Sequence, residues 1–110
     1  MQLLLERGAD VKAIDENGNT ALMDLCRAGA SVSEIKILLG KGANVNARNP
    51  WGGTALMEAV LRDRPDVIEL LLDKGAKIDS QDRQGRTALK IATKYAKRQA
   101  RRVLLAHHAH

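Results

Sequence analysis

The sequence predicts an all-α solenoid, a stack of short helix pairs in which each pair covers the next. Three observations carry this. Thr20-Ala21-Leu22-Met23 returns as Thr54-Ala55-Leu56-Met57 and again as Thr87-Ala88-Leu89-Lys90, so Thr-Ala-Leu recurs after 34 and then 33 residues. A fixed period in that range marks a stacked repeat. Gly42-Ala43 likewise returns as Gly75-Ala76. Finally, 45% of the residues are hydrophobic but only 2% are aromatic, and phenylalanine is absent. A core built from Leu, Ile, Val and Ala suits thin layers of small helices. A unit of this size cannot bury its apolar face alone and must stack on a neighbour.

The elements follow in order. Residues 1–14 match the tail of a unit, because Leu3-Leu4-Leu5 with Gly8-Ala9-Asp10-Val11 repeats the text of Leu70-Leu71-Leu72 with Gly75-Ala76-Lys77-Ile78. The chain is therefore expected to begin inside a second helix, leaving Leu3, Leu4 and Val11 at an uncapped edge. Asn17-Gly18 predicts a tight type I′ turn, since both residues tolerate positive φ. Thr20 can cap a first helix through its hydroxyl. Leu22, Leu25 and Cys26 carry that helix to about Ala28, and Gly29 stops it. Ser31 or Ser33 caps the second helix, whose buried stripe is Ile35, Leu38 and Leu39. Gly42 ends it in the left-handed conformation that glycine allows.

In the next unit Asn49-Pro50-Trp51-Gly52-Gly53 places the only tryptophan at a loop tip. Pro65 suits the first turn of a helix, where its missing N–H costs nothing. Val67, Ile68, Leu71 and Leu72 form the stripe that follows. Asp63 and Asp66 read as charges at that helix's N-terminus. The last unit turns Leu89, Ile91, Ala92, Val103, Leu104 and Leu105 inward and Lys94, Lys97, Arg98, Arg101 and Arg102 outward, with His108 in place of the glycine stop. A polar outer face is what a terminal repeat needs.

The recurring text D-x-x-G-x-T-A-L, then a helix pair with L-L-L, then G-A-x-V/I-N/D, resembles the ankyrin repeat over essentially the whole chain. The resemblance implies a single domain, an ankyrin-repeat solenoid of antiparallel helix pairs joined by β-hairpin-like turns. Residues 1–14 are a partial repeat, 15–48 and 49–81 are repeats, and 82–110 is a C-terminal capping repeat. The family's T-P-L-H reads T-A-L-M, T-A-L-M and T-A-L-K here, and Glu34 stands where an apolar residue is usual.

The resemblance also implies a non-catalytic scaffold that binds another protein along a concave groove of turn tips and first helices. Carried over by position, the partner-binding residues are Asn17, Asn19, Arg27, Arg48, Trp51, Leu61, Arg62, Arg83, Arg86, Lys94 and Tyr95. These positions lie off the apolar stripes, so the fold leaves their identity free. Trp51, Tyr95, Arg62 and Arg86 are of the types that dominate interface energetics.

Charge supplies a second reading. Residues 82–110 carry eight Lys/Arg against Asp82 alone, a net +7, whereas residues 1–81 carry ten basic and twelve acidic side chains, a net −2. The basic last unit could serve as a solvated cap. It could instead hold a polyanion, nucleic acid or nucleotide by neutralising phosphates. No aromatic interleaving or glycine-rich phosphate loop accompanies it.

Other chemistries find no support. Cys26, the single cysteine, permits no internal disulfide, which favours a reducing intracellular setting, cytoplasmic or nuclear. It reads as a small buried residue with no histidine to activate it. His107, His108 and His110 cluster at a chain end without the spaced ligands of a metal site, and no carboxylate pair is set for acid–base work. No cofactor and no membrane association is expected. Self-association, if present, would use the uncapped N-terminal edge.

Overall fold

The computed structural model describes residues 14–16 and 18–107. Six helices occupy this span: α1 (Ala21–Ala28), α2 (Val32–Gly40), α3 (Ala55–Leu61), α4 (Pro65–Asp73), α5 (Ala88–Lys94) and α6 (Arg98–Ala106). They form three pairs. Each helix packs on its pair mate, α1, α3 and α5 pack in one row, and α2, α4 and α6 in a second. The Leu3-Leu4-Val11 edge, Asn17 and His108 lie outside the described residues.

The repeated threonines start the first helix of every pair. Thr20, Thr54 and Thr87 accept the N–H of Met23, Met57 and Lys90 at 3.2, 3.4 and 3.2 Å. One backbone N–H that the helix cannot satisfy is thereby paired, and all three threonines are buried. Ser31 caps α2, and Glu34 sits three residues on. The serine hydroxyl accepts the Glu34 N–H at 3.3 Å and donates to Glu34 Oε1 at 3.2 Å. An acidic residue at this otherwise apolar position thus serves the helix start, a variant of the capping box. Pro65 opens α4 as expected.

The same left-handed stop ends each first helix. Gly29, Asp63 and Ala96 have φ of 78, 52 and 56° at equivalent positions. The residue after each returns its N–H to a carbonyl five residues back: Ala30 to Leu25, Arg64 to Ala59 and Lys97 to Ala92. Only the first position has the residue that adopts this conformation without strain. Asp63 does not serve its own helix. Its Oδ1 accepts the Ala100 N–H at 2.8 Å, and Ala100 is the third residue of α6, which has no side-chain cap of its own. The helix-terminal charge expected at Asp63 is therefore delivered to the following pair. Asp66 stays in the first turn of α4, paired with Arg64 at 3.1 Å.

Of the type I′ turn expected at Asn17-Gly18, Asn17 lies outside the described residues. Gly18 N–H donates to the Asp15 carbonyl and Asp15 N–H to the Asn19 carbonyl, both at 2.9 Å. Gly18 itself is in the left-handed region, at φ 82°. The other two turns share the register: Gly52 to Asn49 with Asn49 to Gly53, and Gly85 to Asp82 with Asp82 to Arg86. The cause is the side chain at the turn's first residue, whose oxygen gathers N–H groups from the far side. Asn49 Oδ1 takes those of Trp51 and Gly53 at 3.0 and 2.8 Å, and Asp82 Oδ1 those of Gln84 and Arg86 at 2.9 Å. The turns are hairpin-like in their bonding, yet the described residues contain one isolated bridge, Ile14 to Thr20, and no strand.

The core runs unbroken through the stack: Leu22, Met23, Ile35, Leu38, Leu56, Val60, Val67, Ile68, Leu71 and Leu104 are all at most 2% exposed. Leu39, Leu72, Leu89 and Val103 of the expected stripes are half-buried. Leu105 corrects the expectation of an inward side chain, being 45% exposed. Ala100 and Leu104 fill the inner face of α6, and among the described residues no helix covers the position Leu105 occupies.

Candidate functional site

The three turns stack into a row. Arg83 N–H donates to the Trp51 carbonyl at 3.0 Å, Arg48 reaches the Gln81 carbonyl, and Asn49 Nδ2 donates to Asn19 Oδ1 at 3.0 Å. Two glycines make the close approach possible. A Cβ at Gly18 would lie 2.5 Å from the Pro50 ring, and one at Gly52 would lie 2.8 Å from the Arg83 nitrogen. Both also have positive φ, so a side chain there would be blocked twice.

Trp51 stands on the middle tip and is 61% exposed, while its backbone is bound on both sides, N–H to Asn49 Oδ1 and carbonyl to Arg83 N–H. Around it, Arg48 donates Nε to the Gly52 carbonyl at 3.3 Å, and Arg83 is exposed. Arg86 pairs with Asp82 at 2.9 Å. The Asp82 carboxylate would be raised by burial. The Arg86 and Gln84 N–H groups and the Arg86 guanidinium outweigh that and hold it below the usual range.

The ends of the first helices form a second row. Arg27, Leu61 and Lys94 are one repeat apart, as are Ala28, Arg62 and Tyr95. Leu61 is 39% and Tyr95 46% exposed. Arg62 and Lys94 are exposed too, and Lys94 Nζ lies 5.6 Å from the Tyr95 ring centroid, a cation–π contact. Arg27 spans to the next pair, Nε to Glu58 Oε2 at 3.3 Å and Nη2 to Glu58 Oε1 at 3.4 Å.

One expected contact residue is committed elsewhere. Asn19 is 1% exposed, and its amide oxygen holds the neighbouring turn. It builds the row of tips rather than presenting a surface. Asn17 lies outside the described residues. Sequence reasoning also missed two carboxylates on the first helices, Asp24 and Glu58, although they stand one 34-residue period apart. Asp24 is pushed from the ordinary 3.8 up to about 6, first by burial, then by its hydrogen bond to Asp15 and the negative charges of Asp15 and Glu58.

Cys26 is buried, and burial together with the nearby Glu58 pushes its thiol up to about 12, so it stays protonated and unreactive at neutral pH. Among the described residues no group of three His, Cys, Asp or Glu is placed to hold a metal ion. His107 instead meets Glu69 at 3.1 Å; His108 and His110 lie outside the described residues. No described helix is long and apolar enough to cross a membrane.

No curated protein matches the chain. The family model for ankyrin repeats matches in three copies, over residues 1–82 and 33–110. Together with the stacked helix pairs and the row of bonded turns, this places the chain in the ankyrin-repeat family.

Proposed function

We propose that this chain is a non-catalytic scaffold that binds a partner protein along the face formed by its turn tips and the ends of its first helices. Ankyrin repeats generally mediate protein–protein interaction. The observation that carries the reading here is Trp51, a large apolar side chain kept in solvent on a backbone that hydrogen bonds hold in place. Exposing an indole is unfavourable, and a preformed anchor loses little entropy when it is covered. Arg83 and Arg86 on the row of tips and Leu61, Arg62, Lys94 and Tyr95 on the row of helix ends supply the apolar and cationic contacts of an interface.

The test is a pull-down from a lysate of the source cells, treated with nuclease, with wild type against Trp51→Ala/Arg62→Glu. The double variant keeps its helical circular dichroism and loses the protein that wild type retains. A protein held equally by both forms would exclude this face.

A further inference from the structure

We infer that the outer end of the last helix pair is a second docking site, a groove that receives an acidic amphipathic helix of a partner protein. It shares no residue with the face built around Trp51. The groove is a cleft of about 590 Å³. Ala92, Thr93, Ala96 and Leu105 give it an apolar floor, and Lys97, Arg98, Arg101 and Arg102 give it a cationic rim.

The repeat itself shows what shape this surface has. Thr93 occupies the position of Cys26 and Val60 in the earlier pairs, and Arg101 that of Ile35 and Ile68. Those four residues are between 0 and 3% exposed. Thr93 and Arg101 are exposed. Among the described residues the last pair therefore leaves open a surface whose counterparts are closed by packed helices. Position 96 differs in the same way: its counterpart Asp63 reaches forward to α6, whereas Ala96 presents a methyl group to the cleft.

Charge selects the occupant. None of Lys97, Arg98, Arg101 or Arg102 has an ion-pair partner among the described residues. Of the carboxylates on the neighbouring pair, Asp63 holds the Ala100 N–H, Asp66 pairs with Arg64 and Glu69 with His107. A surface serving only solubility would mix both signs. Here a single sign is arranged with helical regularity, since Arg98, Arg101, Arg102 and Leu105 fall at i, i+3, i+4 and i+7 on one stripe of α6. A facing helix that carries glutamates beside leucines meets both the rim and the floor. Nucleic acid fits less well, because no aromatic ring lines the cleft for a base to stack on.

The probe is a synthetic helical peptide with leucine at i, i+3, i+4 and i+7 flanked by glutamate, beside a scrambled peptide of identical composition. Amide chemical shifts of the labelled chain report where it binds. Saturable shifts confined to α5 and α6 are expected, and Arg101→Glu/Arg102→Glu should weaken binding by about tenfold or more. Leu105→Ser weakens it with no change in net charge, and Trp51→Ala leaves it unaltered. The variants' melting curves establish that they remain folded. Equal binding of the scrambled peptide would overturn the site, as would tighter binding of a single-stranded oligonucleotide to the same shifts. Shifts that grow with protein concentration without peptide would assign the groove to a second copy. Loss of binding in Trp51→Ala would place the peptide on the turn-tip face instead.

Discussion

Asp24 is a carboxyl group that the folded chain prefers to keep protonated. Its pKa is raised from 3.8 to about 6 by burial and by the adjoining Asp15 and Glu58. A raised folded pKa means that the group costs nothing below the unfolded value, costs progressively more between the two, and costs the full amount above about 6. Asp24→Asn keeps the size and can still hydrogen-bond Asp15. It should stabilise the fold by about 1 kcal/mol near pH 7.5 once solvent screening is allowed for. Near pH 3.5 the gain should vanish. Thermal melts at the two pH values check this, and an equal gain at both would show that ionisation is not the cost. Asp82 has the opposite sign. Its lowered pKa contributes stability above the unfolded value, and this is lost as pH falls through the folded one.

At the scale of the element, the three first helices end in one geometry with three different residues. Glycine tolerates the left-handed stop, and aspartate is accommodated at Asp63, where its carboxylate also caps α6. Ala96 has neither compensation at φ 56°. Ala96→Gly should therefore raise stability by about 1 kcal/mol, because the relief of the left-handed strain exceeds the entropy glycine adds to the unfolded chain. Chemical denaturation measures it, and a loss of stability would mean that the methyl group's contact in the cleft outweighs the strain. The same element shows why Leu105 misled the periodic reading. Spacing marks Leu104 and Leu105 alike as apolar, but only Leu104 has a neighbour to cover it.

Across the whole molecule, stability rests on the contacts between successive pairs. Leu71 is fully buried in α4, the middle helix of its row. Leu71→Ala leaves a cavity and should cost about 2–5 kcal/mol, a large share of the roughly 5–15 kcal/mol typical of a domain. The melting temperature reads this directly, and an unchanged transition would place Leu71 outside the core. Polar ties join the same units: Arg27 to Glu58, Arg64 to the Ala30 carbonyl at 3.3 Å, and Asn46 to the Lys77 N–H at 2.8 Å and the Gly75 carbonyl at 3.0 Å. Each crosses from one repeat to the next, so the stack is held in register by side chains as well as by apolar burial.

By itself the sequence determined what is local. The period, the threonine and serine caps, Pro65 at a helix start and the apolar stripes each depend on residues within one or two turns of one another. Trp51 was legible as exposed for the same reason, since a turn tip between two short helices has nowhere to bury an indole. Only the tertiary structure decided what happens between repeats. Asn19 became a buried tie, Asp63 capped another pair's helix, and Asp24 met Glu58, because stacking brings together residues about 30 or more positions apart. It also decided which apolar positions stay open. Periodicity records that a side chain points to one face of its helix, whereas burial requires a second surface against that face, and at the outer end of the last pair the described chain places none.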